Sequence, residues 1–340
     1  MQFLSDNTST ACPQILAALE AVNRGRVHSY GDDEWTQRLE RCFGDFFGTT
    51  VRAFAVATGT AANSLSLATL SPPYGAIFAH REAHIETDEC GAPAFFSGGA
   101  QIALLDGEHA RITPEAFAQA LADHPSVNVG LHSVQPAALS LTQMTEHGTV
   151  YRAADIARLS ELAHARGLKV QMDGARFANA VAFLGCHPGD ITWRAGVDVL
   201  CFGATKNGAL AAEAVVFFDT ALVRDFELRR KRAGHLFSKS RYIAAQLLAY
   251  VETGLWRSNA ERTNALAQQV AQAAAAYLLH PVEGNELFLR LGVERRQRLR
   301  AMGFEFYDWG PPQRGEARLV VSWDQPAGDV EALCSALARL

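Results

Sequence analysis

The chain has 340 residues, of which 49% are hydrophobic and 20% charged, with a formal net charge of −5. This length supports a large buried core and more than one small domain. The mild acidity offers no general basic field for nucleic acid, and no run of about 18 apolar residues predicts a membrane span.

The start, "MQFLSDNTSTACPQ", has neither the basic nor the apolar region of a signal peptide. The six cysteines form no C-x-x-C pair, so no zinc knuckle or redox motif is expected. Thiols inside apolar runs, such as Cys201 in "VDVLCFG", fit a reducing cytoplasmic setting.

Strand and helix signals then alternate. "RAFAVAT" is expected as a buried strand, and "GTAANSLSLATL" as the helix that follows. "GAIFAH" is a strand, "HIETDECGAPAFF" begins a helix, and "AQIALLD" is a strand. "TPEAFAQALADH" is a helix with Thr113 as N-cap and Pro114 at its first position, where the missing N–H costs nothing. "AALSLTQ" is a strand, and "AADIARLSELAHARG" a helix stopped at Gly167. "LKVQMD", "VDVLCFG" and "AVVFF" are strands. Continuous apolar strands alternating with helices predict an α/β fold, with a mostly parallel central sheet flanked by helices. Ligands in such sheets bind at the carboxyl ends of the strands.

Beyond Asp225 come a basic helix, a loop, an apolar helix, and the Ala-rich helix "AQQVAQAAAAYLL". Short strands and helices then mix through "ELFLRLG", "FEFYDWG", "ARLVVSW" and "AGDVEALCSALARL". This predicts a smaller C-terminal α+β domain, 246–340, after a large domain, 1–245.

Four features fall at strand ends or helix starts of the large domain. "TGTAANS" ends a strand and opens a helix at Gly59. Its free N–H groups and the Thr58 and Thr60 hydroxyls suit a phosphate, although a plain strand–helix turn would read the same way. His84 follows a strand and a loop, as either a structural histidine or a ring that stacks on a planar ligand. Asp173 ends "KVQMD", where a buried carboxylate needs a partner: Arg176, a helix N-terminus or a protonated ring nitrogen. Lys206 lies among small and apolar residues in "CFGATKNGALAAEAVVFF". It is either a snorkelling lysine or an amine whose pKa burial lowers, the nucleophile that a Schiff base requires.

With "FLSDNTS", "YGDD", "TGTAAN", "DECGAP", "DGAR", "FGATKNG" and "EARLVVSWD" in this order, the chain resembles the low-specificity L-threonine aldolases. These are pyridoxal-phosphate enzymes of the aspartate aminotransferase fold, fold type I. The resemblance implies an aldehyde-lyase that cleaves L-threonine, L-allo-threonine or related L-3-hydroxy-α-amino acids, phenylserine among them, to glycine and an aldehyde. A β-eliminating lyase, a racemase or a non-catalytic protein of the same fold are the alternatives.

The resemblance also implies residue roles. Lys206 is the Schiff-base lysine, Asp173 the partner of the pyridine nitrogen, and His84 the residue stacked on the ring and a candidate base. Gly59 and Thr60 bind the phosphate. Arg176 reaches the ring's phenolic oxygen or the substrate carboxylate, and Arg318 is the carboxylate fork, for which bidentate arginine is suited. Ser5 and Tyr30 line the substrate pocket. Sites lie at the dimer interface of a homodimer or homotetramer, with Arg232 and Lys239 reaching a phosphate in the neighbouring subunit. No metal is implied. Many relatives carry a histidine in the segment corresponding to "LTQMTEHGT"; here Gln143, Thr145 and His147 are the candidates for that spot.

Overall fold

The computed structural model describes residues 1–340. Seven strands form the main sheet: β1 (Arg52–Val56), β2 (Gly75–His80), β3 (Gln101–Leu105), β4 (Gln135–Thr142), β5 (Lys169–Gly174), β6 (Val199–Gly203) and β7 (Glu213–Phe217). Their order is β1-β7-β6-β5-β4-β2-β3. All neighbouring pairs are parallel except those of β7, which runs antiparallel to both β1 and β6. The mostly parallel sheet expected from the sequence is therefore present, with one reversed strand.

Side-chain alternation along the strands explains why both faces are covered. On β6, Val199 and Cys201 enter a core with Phe54, Val215 and Phe217, while Leu200 and Phe202 enter the opposite core with Phe43, Phe177 and Val216. Rings interlock on the second face, where Phe43 and Phe202 meet edge-on at 5.2 Å. Between β5 and β6 runs the helix Phe177–Leu184, the single crossover that parallel neighbours need. Gly203 lets the two strand ends approach closely: a Cβ there would lie 2.7 Å from the Ala175 carbonyl oxygen.

Two local readings are corrected. "HIETDECGAPAFF" forms two short helices, His84–Thr87 and Ala92–Ser97, because Cys90 and Gly91 adopt positive φ angles of 51° and 74° between them. The Ala-rich segment ends its α-helix at Ala273 and closes with a 3₁₀ turn, Ala275–Tyr277.

A second sheet holds β8 (Glu286–Arg290), β9 (Tyr307–Trp309) and β10 (Glu316–Val320), all antiparallel in the order β8-β10-β9. Leu287, Leu289, Ala317 and Leu319 pack in one core with Val270, Val330 and Leu333 of the covering helices. Arg318 pairs with Phe288, and Glu286 stands two residues along the same strand, so the two charged side chains share the face turned from that core. No helix is long and apolar enough to cross a membrane.

Candidate active site

The carboxyl ends of β1, β2, β4, β5 and β6 meet at one edge of the main sheet, and the reversed β7 brings its amino end there. A cavity of about 310 Å³ opens at this edge. Its wall contains Thr58, Gly59 and Thr60 after β1, His84 and Glu89 after β2, and Thr142, Met144 and Glu146 from the end of β4. Asp173, Ala175 and Arg176 follow from β5, Lys206 from the 3₁₀ turn Thr205–Asn207 after β6, and Glu213 from β7. Gly59, Thr60, His84, Asp173, Arg176 and Lys206 are thus brought together from four widely separated stretches of chain.

The β1 edge is a helix N-terminus. Thr58 caps the helix Gly59–Leu70, its Oγ1 accepting from the Ala61 amide at 3.2 Å, and the Ala62 amide bonds to the Thr58 carbonyl. The amides of Gly59 and Thr60 precede these bonds and are available to an anion. A Cβ at Gly59 would meet nothing within 4 Å, so the space above the amides is open.

Asp173 is buried and held at both oxygens. Oδ1 accepts from the Ala175 amide at 2.9 Å, and Oδ2 from Asn63 Nδ2 at 2.7 Å. The same Asn63 nitrogen reaches Glu89 Oε1 at 2.8 Å, and Gln171 fixes Asn63 by donating to its Oδ1. His84 Nδ1 lies 2.9 Å from Glu89 Oε1. That hydrogen bond, aided by the charge of Asp173, raises the imidazole pKa against the pull of burial. Burial raises the Glu89 carboxyl in turn, and its Oε2 is buried without a partner.

Lys206 has its pKa lowered, first by burial and then by the Arg176 charge, which favours a neutral amine. Glu213 beside it is pushed up to about 7 by burial. Across the cavity, Arg176 forms a two-pronged pair with Asp6, Nε to Oδ2 at 2.8 Å and Nη2 to Oδ1 at 3.0 Å. Burial works to raise the Asp6 carboxyl, but Arg176 and Lys206 outweigh it and hold it at about 2. Arg176 also lies 3.2 Å from Glu286 Oε1, the atom to which Arg318 Nε donates at 3.1 Å.

Other predicted residues stand elsewhere. Arg318 is behind the cavity wall, joined to it through Glu286 and Arg176. Ser5 caps the short turn Asp6–Thr8, and Asn7 rather than Ser5 reaches the cavity. Tyr30 is exposed on a second cavity that also contains Arg230, with Lys231 over its ring at 4.5 Å. Arg232 and Lys239 are exposed and line no part of the main cavity of their own chain.

In the segment after β4, the backbone alternates. Thr142, Met144 and Glu146 face the cavity, whereas Gln143 bonds to the Tyr151 carbonyl and Thr145 to Thr149 and the His109 carbonyl. His147 turns outward to Glu82 and stacks on His280 at 4.1 Å. None of the three candidates for the histidine spot lines the cavity; the titratable group that does is Glu146. Asn63, Glu89 and Glu146 were not singled out in the sequence, although "TGTAAN", "DECGAP" and "LTQMTEHGT" contain them.

A family model described as "Beta-eliminating lyase" matches residues 2–292. The low specificity L-threonine aldolase of Pseudomonas aeruginosa is 43% identical over 327 residues, covering 95% of this chain and 93% of its own. That of a Pseudomonas sp. strain is 40% identical over 346 residues, covering 98% of both chains. Among solved structures, the Leishmania major threonine aldolase superposes with a TM-score of 0.92 at 24% identity, over 99% of this chain and 98% of that one. By this family match and this identity over nearly its whole length, the chain belongs to the beta-eliminating lyase family and, within it, groups with the low-specificity L-threonine aldolases.

Proposed function

We propose that this chain is a pyridoxal-phosphate-dependent aldehyde-lyase that cleaves L-threonine, L-allo-threonine and related L-3-hydroxy-α-amino acids to glycine and an aldehyde. The observation that carries the reading is one cavity walled by Lys206, Asp173, His84 and the open N-terminus at Gly59.

These residues fit the cofactor. The helix N-terminus offers two amides and open space to a phosphate, and a lysine with a lowered pKa suits a carbonyl carbon. A buried carboxylate held rigidly by two donors suits a cationic ring nitrogen. Gly59 and Thr60 would hold the phosphate, Asp173 the ring nitrogen, His84 the ring face, and Lys206 the reactive carbon. When bound, pyridoxal phosphate supplies an aldehyde carbon that condenses with amines and a conjugated ring that accepts electrons from Cα.

The chain's own groups do the rest. Lys206 would hold the cofactor's reactive carbon and, as a neutral amine, would be placed to hold or move a proton at Cα. Arg176 would orient the substrate carboxylate with Arg318 behind it through Glu286; Ser5, whose hydroxyl accepts from the Asn7 amide, would act through Asn7, and Tyr30 would reach a site only in a second copy. His84, oriented by Glu89, covers the ring. A homodimer or homotetramer completes each site, with Arg232 and Lys239 reaching the neighbour's phosphate, in the cytoplasm. Residues 1–245 form the cofactor-binding part, and 246–340 the smaller part that carries Arg318.

The test is aldehyde release. Purified protein loaded with the cofactor is given L-threonine, L-allo-threonine, phenylserine, serine and alanine in parallel. Aldehyde with an equal amount of glycine from the 3-hydroxy acids supports the reading. The family description favours one second reading, β-elimination. Ammonia and pyruvate from serine, with no aldehyde from threonine, would select it.

A further inference from the structure

We infer that Glu146 is a catalytic residue, the base that takes the proton from the substrate's β-hydroxyl. This rests on the aldolase reading above. Three observations point to it. Glu146 ends the run Thr142, Met144, Glu146 that faces the cavity, and it is the one carboxyl that β4 and its following turn contribute there. Its Oε1 is fixed by two donors, the Thr142 hydroxyl at 2.8 Å and the His84 amide at 3.0 Å, so the group is pre-positioned. Its Oε2 is buried without a hydrogen-bond partner, a costly arrangement, and a turn of the carboxyl towards the cavity would give that oxygen a partner in a substrate hydroxyl.

The charges around it agree. Asp173 from β5, His84 and Glu89 after β2, Arg176 after β5, and Lys206 and Glu213 from β6 and β7 share the cavity. Burial, with the Asp173 charge adding to it, pushes the Glu146 carboxyl up to about 7, against the bonds from Thr142 and His84. A base titrating there is matched to neutral conditions. Of the other carboxyls, Asp173 is committed to Asn63 and Ala175 and Glu89 to His84 and Asn63, while Glu213 lies beside Lys206 with the Thr205 hydroxyl as its partner.

The step balances. The Glu146 carboxylate takes the hydroxyl proton, the O–H pair becomes the second bond of the aldehyde carbonyl, and the Cα–Cβ bond breaks. Its electron pair stays with Cα, which then gains one proton. Net, a single proton moves from the β-oxygen to Cα, and Glu146 returns to its carboxylate form.

The experiment uses cofactor-loaded enzyme and compares wild type, Glu146→Gln and Thr142→Val. Cleavage of L-threonine is followed from pH 5.5 to 9, with glycine affinity by calorimetry and solvent exchange of glycine's α-hydrogen. Exchange needs no β-hydroxyl. The expected result for Glu146→Gln is a loss of cleavage of at least about a hundredfold. Glycine affinity and exchange stay within about threefold of wild type, because the role invoked begins at the β-oxygen. The wild-type rate rises with pH through about 7, and this limb is absent in Glu146→Gln. It moves to higher pH in Thr142→Val, which loses a donor to the charged form. Cleavage by Glu146→Gln near the wild-type rate overturns the inference. So does a parallel loss of cleavage, glycine affinity and exchange, since that marks a structural role through His84. A wild-type enzyme that exchanges glycine but releases no aldehyde from any 3-hydroxy acid overturns the aldolase reading itself, and the role of Glu146 with it.

Discussion

Asn63 and Asp173 share a hydrogen bond of 2.7 Å, although 110 residues separate them, and the same amide nitrogen also serves Glu89. One neutral side chain therefore keeps two buried carboxylates in place and apart. Asn63→Ala leaves both a donor short. The expected cost is about 1–3 kcal/mol of stability, read from urea denaturation, with cofactor binding weakened about tenfold in equilibrium dialysis. Unchanged values in both would remove Asn63 from the site's framework.

Replacing Lys206 separates catalysis from folding. Lys206→Ala is expected to lower aldehyde release at least about a thousandfold. The folded protein should be as stable as wild type or more so, because a buried ammonium is expensive. The sign follows from linkage. The folded-state pKa of Lys206 lies below its ordinary value, so the unfolded chain binds more protons between the two, and wild-type stability rises with pH across that window. Stability curves at pH 7 and 10 should converge for the two proteins. Turnover near the wild-type rate would reject the lysine's role.

The Asp6–Arg176 pair should govern acid stability. Asp6 is held at about 2, below the ordinary carboxyl value of 3.8. Its contribution is fully present above pH 4 and lost as the pH falls towards 2, about 2 kcal/mol in all. Asp6→Asn should lack this acid limb in denaturation series between pH 2 and 6. It should also leave Arg176 bound to Glu286 alone, and so alter the KM for L-threonine.

Arg318→Lys tests the carboxylate fork. A lysine keeps the charge but cannot engage a carboxylate with two parallel donors. KM for L-threonine is expected to rise about tenfold or more while the melting temperature shifts little, because Glu286 keeps Arg176 as a partner. A KM equal to wild type would place Arg318 outside substrate binding.

Phe202 tests the packing beneath the site. It is fully buried against Phe43, Phe46, Phe177 and Tyr250. Phe202→Ala should cost about 3–5 kcal/mol through lost burial and the cavity left behind. It should lower the melting temperature before it alters KM.

The strands of the main sheet were legible because most are buried on both faces: β6 is an unbroken apolar run, and β5 is buried along nearly its whole length although Gln171 and Asp173 share one of its faces. Asp173 and Lys206 stood out as charges at strand ends: Asp173 is the last charged residue of β5, and Lys206 lies three residues beyond β6. The reversal of β7 was not legible, since five buried residues look alike in either direction. Asn63 sits in a helix buried all round, where no polar face marks it. Glu146 and His147 are neighbours with opposite orientations, and only the path of the backbone after Thr142 decides which one faces the cavity. Tyr30, Arg232 and Lys239 lie on the surface of their own chain, so any role at a site must involve a second copy.

The reversed β7 has a mechanical consequence. The chain leaves β6 at Gly203, presents Lys206, and re-enters the same sheet at Glu213, paired with Gly203. The short link is anchored along its length: Thr205 bonds to the Ala212 amide, Asn207 to Tyr250 and Trp256, and the Gly208 carbonyl to the Cys12 amide. A tether fixed at both ends and pinned between has almost no freedom to swing, and releasing it means unzipping two central strands. The amine is therefore the stationary part of the machine. Ligands travel to it.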